Sequence, residues 1–261
     1  MLRVVACIKQ VPDTTEVRMD PVKGTLVREG VASIVNPFDT YALEEGVRLK
    51  EKHGGTVAVV TMGPPQAEAA LRDCIAVGAD EAWLVSDRAF AGSDTWATSL
   101  TLAAALKKVG YDLVICGKQA IDGDTAQVGP GVAVHLGLPQ ATYVRKVREL
   151  GAGKIVVERL LEEGVEVVEL PVPALLTVVK EINEPRLPSL KGKMRAKKAE
   201  IRKLSAADLG LSADRTGLEG SPTRVMRIFA PPPRGGGEVF KGEPPEVADK
   251  LIAALAKDRV L

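Results

Sequence analysis

The sequence predicts an α/β fold, with a mostly parallel sheet and helices on both faces. Three observations lead there. Apolar runs of strand length recur along the first half of the 261-residue chain, without the alternation of a half-exposed strand. Patterns of helical length separate them, which makes βαβ units. Aromatic residues are only 3% of the chain, so the core has to be aliphatic.

Leu2 to Ile8 is the first run and reads as a strand buried on both faces, not as a secretory leader, because no basic segment precedes it. Met19 to Val27, with Asp20-Pro21 and Lys23-Gly24, reads as a small inserted hairpin or loop. Thr56 to Met62, Ala82 to Val85 and Asp112 to Cys116 are further strands. Helical patterns cover Pro37 to Lys52, Gln66 to Val77, Thr95 to Lys108 and about Thr125 to Leu136. Right-handed crossovers then gather the strand C-terminal ends on one edge, where ligands bind. From Tyr143 the pattern changes. Tyr143 to Leu150, Lys154 to Leu160 and Val165 to Leu170 are separated by glycine-containing turns and read as antiparallel strands. Ala174 to Val179 returns to the core pattern. The tail holds Pro231-Pro232-Pro233 and Gly235-Gly236-Gly237, which no regular element continues through, and a last helical pattern from about Pro245 to Lys257. So extended a segment is either disordered or wrapped on another chain.

Length and composition bound the function. At roughly 150 residues per domain, the chain is one large domain, or one plus an appendage. Lys and Arg number 35 against 34 Asp and Glu, a net charge of +1, which argues against a protein built around a polyanion. No apolar run approaches the ~18–20 residues of a membrane span. The three cysteines, Cys7, Cys74 and Cys116, are far apart and only two histidines are present, so neither a disulfide framework nor a metal site is expected. A reducing, cytoplasmic setting fits. No Ser-His-Asp arrangement assembles from His53 and His135, so no catalytic residue is assigned.

The richest constellation is Gly117 to Pro130, G-K-Q-A-I-D-G-D-T-A-Q-V-G-P, beginning where a strand ends. Its glycines leave backbone N–H groups open, and Asp124 with Gln127 has capping-box spacing for a following helix. Such a helix start binds phosphate through free N–H groups and the dipole. Pro130 forces that helix to start later or to kink. The segment matches neither standard phosphate-loop pattern, so an ordinary strand-to-helix loop explains it equally well. Asn36-Pro37-Phe38-Asp39 has Asn at N-cap, Pro at N1 and Asp at N3; helix initiation alone accounts for all of them. Thr61-Met62-Gly63-Pro64-Pro65 reads either as a plain βα loop or as a backbone wall for an adenine, and Lys9 to Thr14, with its Pro12-Asp13 turn signal, reads as a loop that places the Lys9 cation at the same edge. Asn183 to Ile201 is basic, yet no aromatic side chain interleaves for base stacking, so nucleic acid is not an expected partner. Leu187 and Leu190 there look like protein-docking anchors.

Together these segments resemble the beta subunits of electron-transfer flavoproteins. The resemblance spans the chain through N-P-F-D (36–39), A-L-E-E-G-V-R-L-K-E-K (42–52), M-G-P-P-Q (62–66), A-V-G-A-D (76–80), G-K-Q-A-I-D-G-D-T-A-Q (117–127), L-P-Q (138–140), N-E-P-R (183–186) and K-M-R-A-K-K (193–198). It implies a Rossmann-like adenine-nucleotide-binding domain over residues 1–200, with a recognition loop at 183–200, and an arm over 201–261 that wraps a homologous alpha subunit. The implied nucleotide pocket comprises Cys7, Lys9, Asn36, Pro37, Phe38, Asp39, Met62, Gly117, Lys118, Gln119, Ala120, Ile121, Asp122, Gly123, Asp124, Thr125, Ala126, Gln127 and Val128. Phe38 and the loop around Thr14 are implied to lie near an FAD held mostly by the alpha subunit. Leu187, Leu190 and Met194 are implied to dock an acyl-CoA dehydrogenase, another flavin dehydrogenase or a quinone oxidoreductase. K-Q-V-P-D-T (9–14), D-G-D-T-A-Q-V-G-P (122–130) and S-P-T-R-V-M (221–226) resemble the electron-bifurcating branch. There the pocket holds a second FAD that accepts hydride from NADH, with ferredoxin or flavodoxin as low-potential acceptor. In the other branch it holds AMP.

Overall fold

The computed structural model describes residues 1–13, 32–226 and 235–260. The expected hairpin at Met19–Val27 lies outside them. Two compact units divide the chain, Met1–Met226 and Arg227–Leu261.

The first unit is built on a nine-stranded sheet. Its strands are β1 (Leu2–Cys7), β4 (Gly55–Met62), β5 (Glu81–Val85), β6 (Leu113–Gly117), β7 (Gln140–Gly151), β8 (Lys154–Leu160), β9 (Val165–Pro171), β10 (Ala174–Val178) and β11 (Arg202–Leu204). Their order is β11-β5-β4-β1-β6-β10-β7-β8-β9. All neighbours are parallel except β7–β8 and β8–β9, the antiparallel hairpins expected from the glycine turns. Two short strands, β2 (Gln10–Pro12) and β3 (Ser33–Val35), form a separate antiparallel pair.

The apolar runs become central strands because both faces are covered. Val4 and Ala6 of β1 enter one core with α1 (Pro37–His53) and α2 (Glu68–Val77). Val5 and Cys7 point the other way, into a core with α3 (Thr95–Val109) and α4 (Val128–Leu136). This is the period-two alternation of a strand inside a three-layer sandwich. Chain order reverses across β1 and β6: the chain builds outward from β1 through β4 and β5, then returns to place β6 on the other side. A crevice therefore opens beyond the C-terminal ends of β1 and β6, the position at which open α/β sheets bind ligands.

Three elements depart from expectation. The helix expected from about Thr125 with Asp124 as its cap starts at Val128, with Gln127 at N-cap. Asp124 and Ala126 have φ of 53° and 55°, which no right-handed helix accommodates. Pro130 then falls at the third helical position, where a missing N–H costs no hydrogen bond. The basic stretch forms a helix, α5 (Leu190–Lys198), capped by Ser189 Oγ, which accepts from Gly192 N–H at 3.0 Å. Arg195 Nη2 donates to Ile75 O at 2.7 Å and Ala79 O at 2.9 Å, capping the end of α2. Finally, Arg202–Leu204 is a sheet strand beside β5, and α6 (Ala206–Leu209) carries the buried Leu209 into the core. The first compact unit thus runs to Met226, beyond residue 200.

The second unit contains α7 (Pro244–Lys257), none of whose residues is buried. Among the described residues no helix is long and apolar enough to cross a membrane.

Candidate functional site

Three chain segments meet at the crevice beyond β1 and β6: the residues after β1, the first turn of α1, and the loop between β6 and α4. Asn36 joins them. Its position before Pro37 invites a helix-capping reading, yet its side chain caps nothing. Instead Nδ2 donates to Gln119 O at 2.8 Å, and Oδ1 accepts from Ile121 N–H at 3.1 Å. The Asn36 N–H donates to Lys9 O at 2.8 Å, and its side chain is wholly buried. One buried amide thereby fixes a loop 85 residues away.

Asp39 makes the second brace. Its Oδ2 accepts from Lys9 N–H at 2.7 Å. A Cβ on Gly117 would collide with the Asp39 carboxylate, so glycine is required where β6 passes α1. Burial pushes the Asp39 pKa up to about 7, against the lowering pull of hydrogen bonds from Asn36, Lys9 and Gly117 and of the Lys9 charge. Above the braces, Lys9 Nζ meets Asp122 Oδ1 at 2.7 Å and ties the β1 end to the outer loop.

Within the loop, the Asp124 N–H donates to Ala120 O at 2.9 Å, and Gln119 Nε2 donates to Asp124 Oδ1. Asp124 and Ala126 have left-handed φ values, and the right-handed Gln127 follows Ala126, which sets left- and right-handed residues side by side. Such an arrangement makes an anion-binding nest. The first turn of α4 adds to it, since no side chain caps this helix and its first intrahelical bond begins at Gly131 N–H. Gly129 and Gly131 let this turn sit close: a Cβ would lie 2.6 Å from Thr177 Cγ2 in the first case and 2.7 Å from Ser99 Oγ in the second. Gly123 faces open space, with nothing within 4 Å of a Cβ built there.

The structure therefore brings together Lys9, Asn36, Pro37, Phe38, Asp39 and Gly117 through Val128. Cys7 and Cys116 are register neighbours on β1 and β6, directly beneath them. The Cys7 contact and burial push the Cys116 thiol up, and both sulfurs are free. Met62 stands at the C-terminal end of β4 on the same edge. Thr14 lies outside the described residues. Leu187, Leu190 and Met194 are elsewhere, on and before α5; Leu187 is 90% exposed and Leu190 77%. Met194 and Arg195 line a cavity of about 550 Å³ with Val47 and Val77.

Sequence reasoning missed two features. The fully buried Glu44 accepts from Arg186 Nε at 2.8 Å and from Arg48 Nε at 2.7 Å, while Arg186 Nη1 reaches Glu51 at 2.6 Å. Asn183 Nδ2 donates to Tyr41 O at 3.0 Å. The N-E-P-R motif thus anchors the segment leading into α5 on α1. The second is Tyr143, a non-glycine residue with φ of 57°, whose only sequence signal is its place at the start of a strand.

This geometry is matched by family. Residues 23–209 match the family described as electron transfer flavoprotein domain. The chain belongs to the electron transfer flavoprotein family. It is 52% identical, over the whole of both chains, to an electron transfer flavoprotein subunit beta of Thermoanaerobacterium thermosaccharolyticum. It is 51% identical, again over the whole of both, to the caffeyl-CoA reductase-Etf complex subunit CarD of Acetobacterium woodii. To the protein FixA of Azotobacter vinelandii it is 48% identical, over 97% of this chain and 93% of that one. Electron transfer flavoprotein beta subunits imply an alpha-subunit partner and a flavin or adenine-nucleotide association.

Proposed function

We propose that the chain is the beta subunit of a heterodimeric electron-transfer flavoprotein whose β1–β6 crevice holds FAD, which takes hydride from NADH for electron bifurcation. The observation that carries this reading is the braced loop Gly117–Val128. Its paired left- and right-handed turn and its uncapped helix start suit a pyrophosphate, and Gly123 leaves open space beside them. A mononucleotide needs less of that space. FAD bound there supplies hydride acceptance and release of single electrons; the chain supplies position and electrostatics. Asn36 and Asp39 hold the loop in shape, and the edge at Cys7, Lys9 and Met62 borders the rest of the nucleotide.

The second FAD belongs to the alpha subunit, beside Phe38 and the Thr14 loop. Leu187, Leu190 and Met194 dock an acyl-CoA dehydrogenase or another flavin dehydrogenase or quinone oxidoreductase; the exposure of both leucines and the name of the caffeyl-CoA reductase relative support this. Ferredoxin or flavodoxin takes the low-potential electron. The arm within 201–261, above all the part after Met226, wraps the alpha subunit, and its amphipathic α7 has an apolar face for that purpose. The complex works in the cytoplasm.

The competing reading is a simple shuttle with AMP in the crevice. Acid release of ligands from the co-expressed heterodimer, with FAD and AMP counted, separates the two. Two FAD and no AMP are expected; one FAD with one AMP overturns bifurcation and leaves the shuttle, and no flavin overturns both.

A further inference from the structure

At the start of the braced loop, where β6 ends, the ligand edge carries a charged group without a counter-charge. Among the described residues Lys118 makes no ion pair. Its Nζ instead lies 5.3 Å from the centroid of the Phe38 ring and 5.8 Å from that of Tyr143. Both distances are within cation–π range. Its backbone is fixed, since Lys118 N–H donates to Val178 O at 2.9 Å at the end of β10.

Tyr143 is brought there by a defect in the sheet. Leu176 pairs with Ala141, but Val178 pairs with Val144, so β7 holds one residue more than β10 over this stretch. Ala141 and Val144, three apart, are both wholly buried, and the residues between them bulge out. Tyr143 takes φ of 57°, a conformation that a bulky residue keeps only when its surroundings over-determine it. They do: Tyr143 N–H donates to the buried Thr177 Oγ1 at 3.2 Å, and the neighbouring Val144 O accepts from Val179 N–H at 3.1 Å. The result is a Tyr ring 40% exposed on the ligand edge, level with Gly117.

We propose that Lys118, Phe38 and Tyr143 form a binding site for a planar redox ring that carries negative charge when reduced. Two aromatic side chains offer faces and edges for stacking, and the cation between their fields has no carboxylate to neutralise it. A lysine held this way favours the reduced, anionic form of a ring over its neutral oxidised form, and thereby raises its midpoint potential. Under the flavoprotein reading above, on which this assignment rests, that ring is an isoalloxazine.

The test uses the co-expressed heterodimer with Lys118→Met, Lys118→Arg, Tyr143→Leu and Tyr143→Phe. Flavin content, flavin fluorescence, and the reduced-to-oxidised ratio in a poised redox buffer are measured for each. Lys118→Met is expected to lower that ratio about tenfold at fixed poise, which is about 59 mV for a one-electron couple. Lys118→Arg, which keeps the charge, is expected to stay within threefold of wild type. Tyr143→Leu is expected to brighten flavin fluorescence by removing a quenching ring, and Tyr143→Phe to leave it dim. Loss of flavin from Lys118→Met that Lys118→Arg restores also supports the site. A wild-type complex without flavin overturns the flavoprotein reading. A flavin-loaded complex with unchanged ratio and fluorescence in Lys118→Met and Tyr143→Leu overturns this assignment alone.

Discussion

Replacing Asn36 by alanine isolates what holds the nucleotide loop. The substitution removes the hydrogen bonds to the Gln119 carbonyl and the Ile121 N–H and strands those two backbone groups. A stranded buried group costs ~1–3 kcal/mol. Ile121 is 44% exposed and Gln119 half-buried, so water recovers part of each loss. The sum is therefore about 2–3 kcal/mol, taken from the shaped loop and not from the helix. Since 1.4 kcal/mol is a factor of ten, apparent nucleotide affinity should fall about 30- to 100-fold as the competent loop is depopulated. Titration of nucleotide-stripped heterodimer with AMP and with FAD measures it, alongside thermal unfolding. Asn36→Ser is the control, because serine caps a helix as well as asparagine does but is too short to span to Gln119 and Ile121. Both variants should lose affinity alike. Wild-type affinity in Asn36→Ala, or recovery in Asn36→Ser, would refute the reasoning and return Asn36 to a plain capping role.

Three further outcomes follow from the same contacts. The Asp39 pKa is raised to about 7 in the folded chain from an ordinary 3.8, so its contribution to stability is fully present below pH ~4 and is lost as pH rises through ~7; the urea midpoint of wild type should fall relative to that of the non-titrating Asp39→Asn as pH rises from 4 to 7, and a pH-independent difference would contradict the buried, protonated state. Leu190→Ala should slow electron delivery to a docked dehydrogenase several-fold while leaving flavin content intact, and loss of flavin instead would disprove the docking role. Arg186→Leu leaves the buried Glu44 with only Arg48, costing ~1–2 kcal/mol after the remaining pair is allowed for; limited trypsin digestion should then cut faster within Leu190–Lys198, and an unchanged cutting rate would mean that α5 is held by its α2 contacts alone.

The layered sheet was legible because both-face burial leaves a direct mark: an unbroken apolar run such as Thr56–Met62 has no other economical explanation. The antiparallel strands were legible from their glycine turns. What escaped was non-local. Asn36 beside Pro37 reads as a cap because capping is a short-range interaction, whereas its actual partners are Gln119 and Ile121. Arg202–Leu204 carries two exposed charged residues and no strand signature; its place is set by Trp83, over which the Arg202 guanidinium lies at 4.9 Å, and by Glu81. In the same way nothing local to Arg186 or Arg195 signals their distant acceptors, the Glu44 carboxylate and the Ile75 and Ala79 carbonyls. The loop start of α4 was half legible: Pro130 signalled an irregular entry, but only the left-handed Asp124 and Ala126 say where it ends.

The Glu44–Arg186 anchor has a consequence for how such a protein changes over time. Glu44 lies eight residues along α1 from Asn36, about 12 Å of rigid helix at 1.5 Å per residue. A single rod therefore carries the Gly117–Val128 loop at one end and the segment leading into α5 along its side. Under the proposed function, substitutions at the outward tips, Leu187, Leu190 and Lys191, alter which protein lands there, yet the spacing from landing site to crevice stays fixed by a helix they do not touch. On that reading partner choice is free to drift while the path length for an electron is inherited.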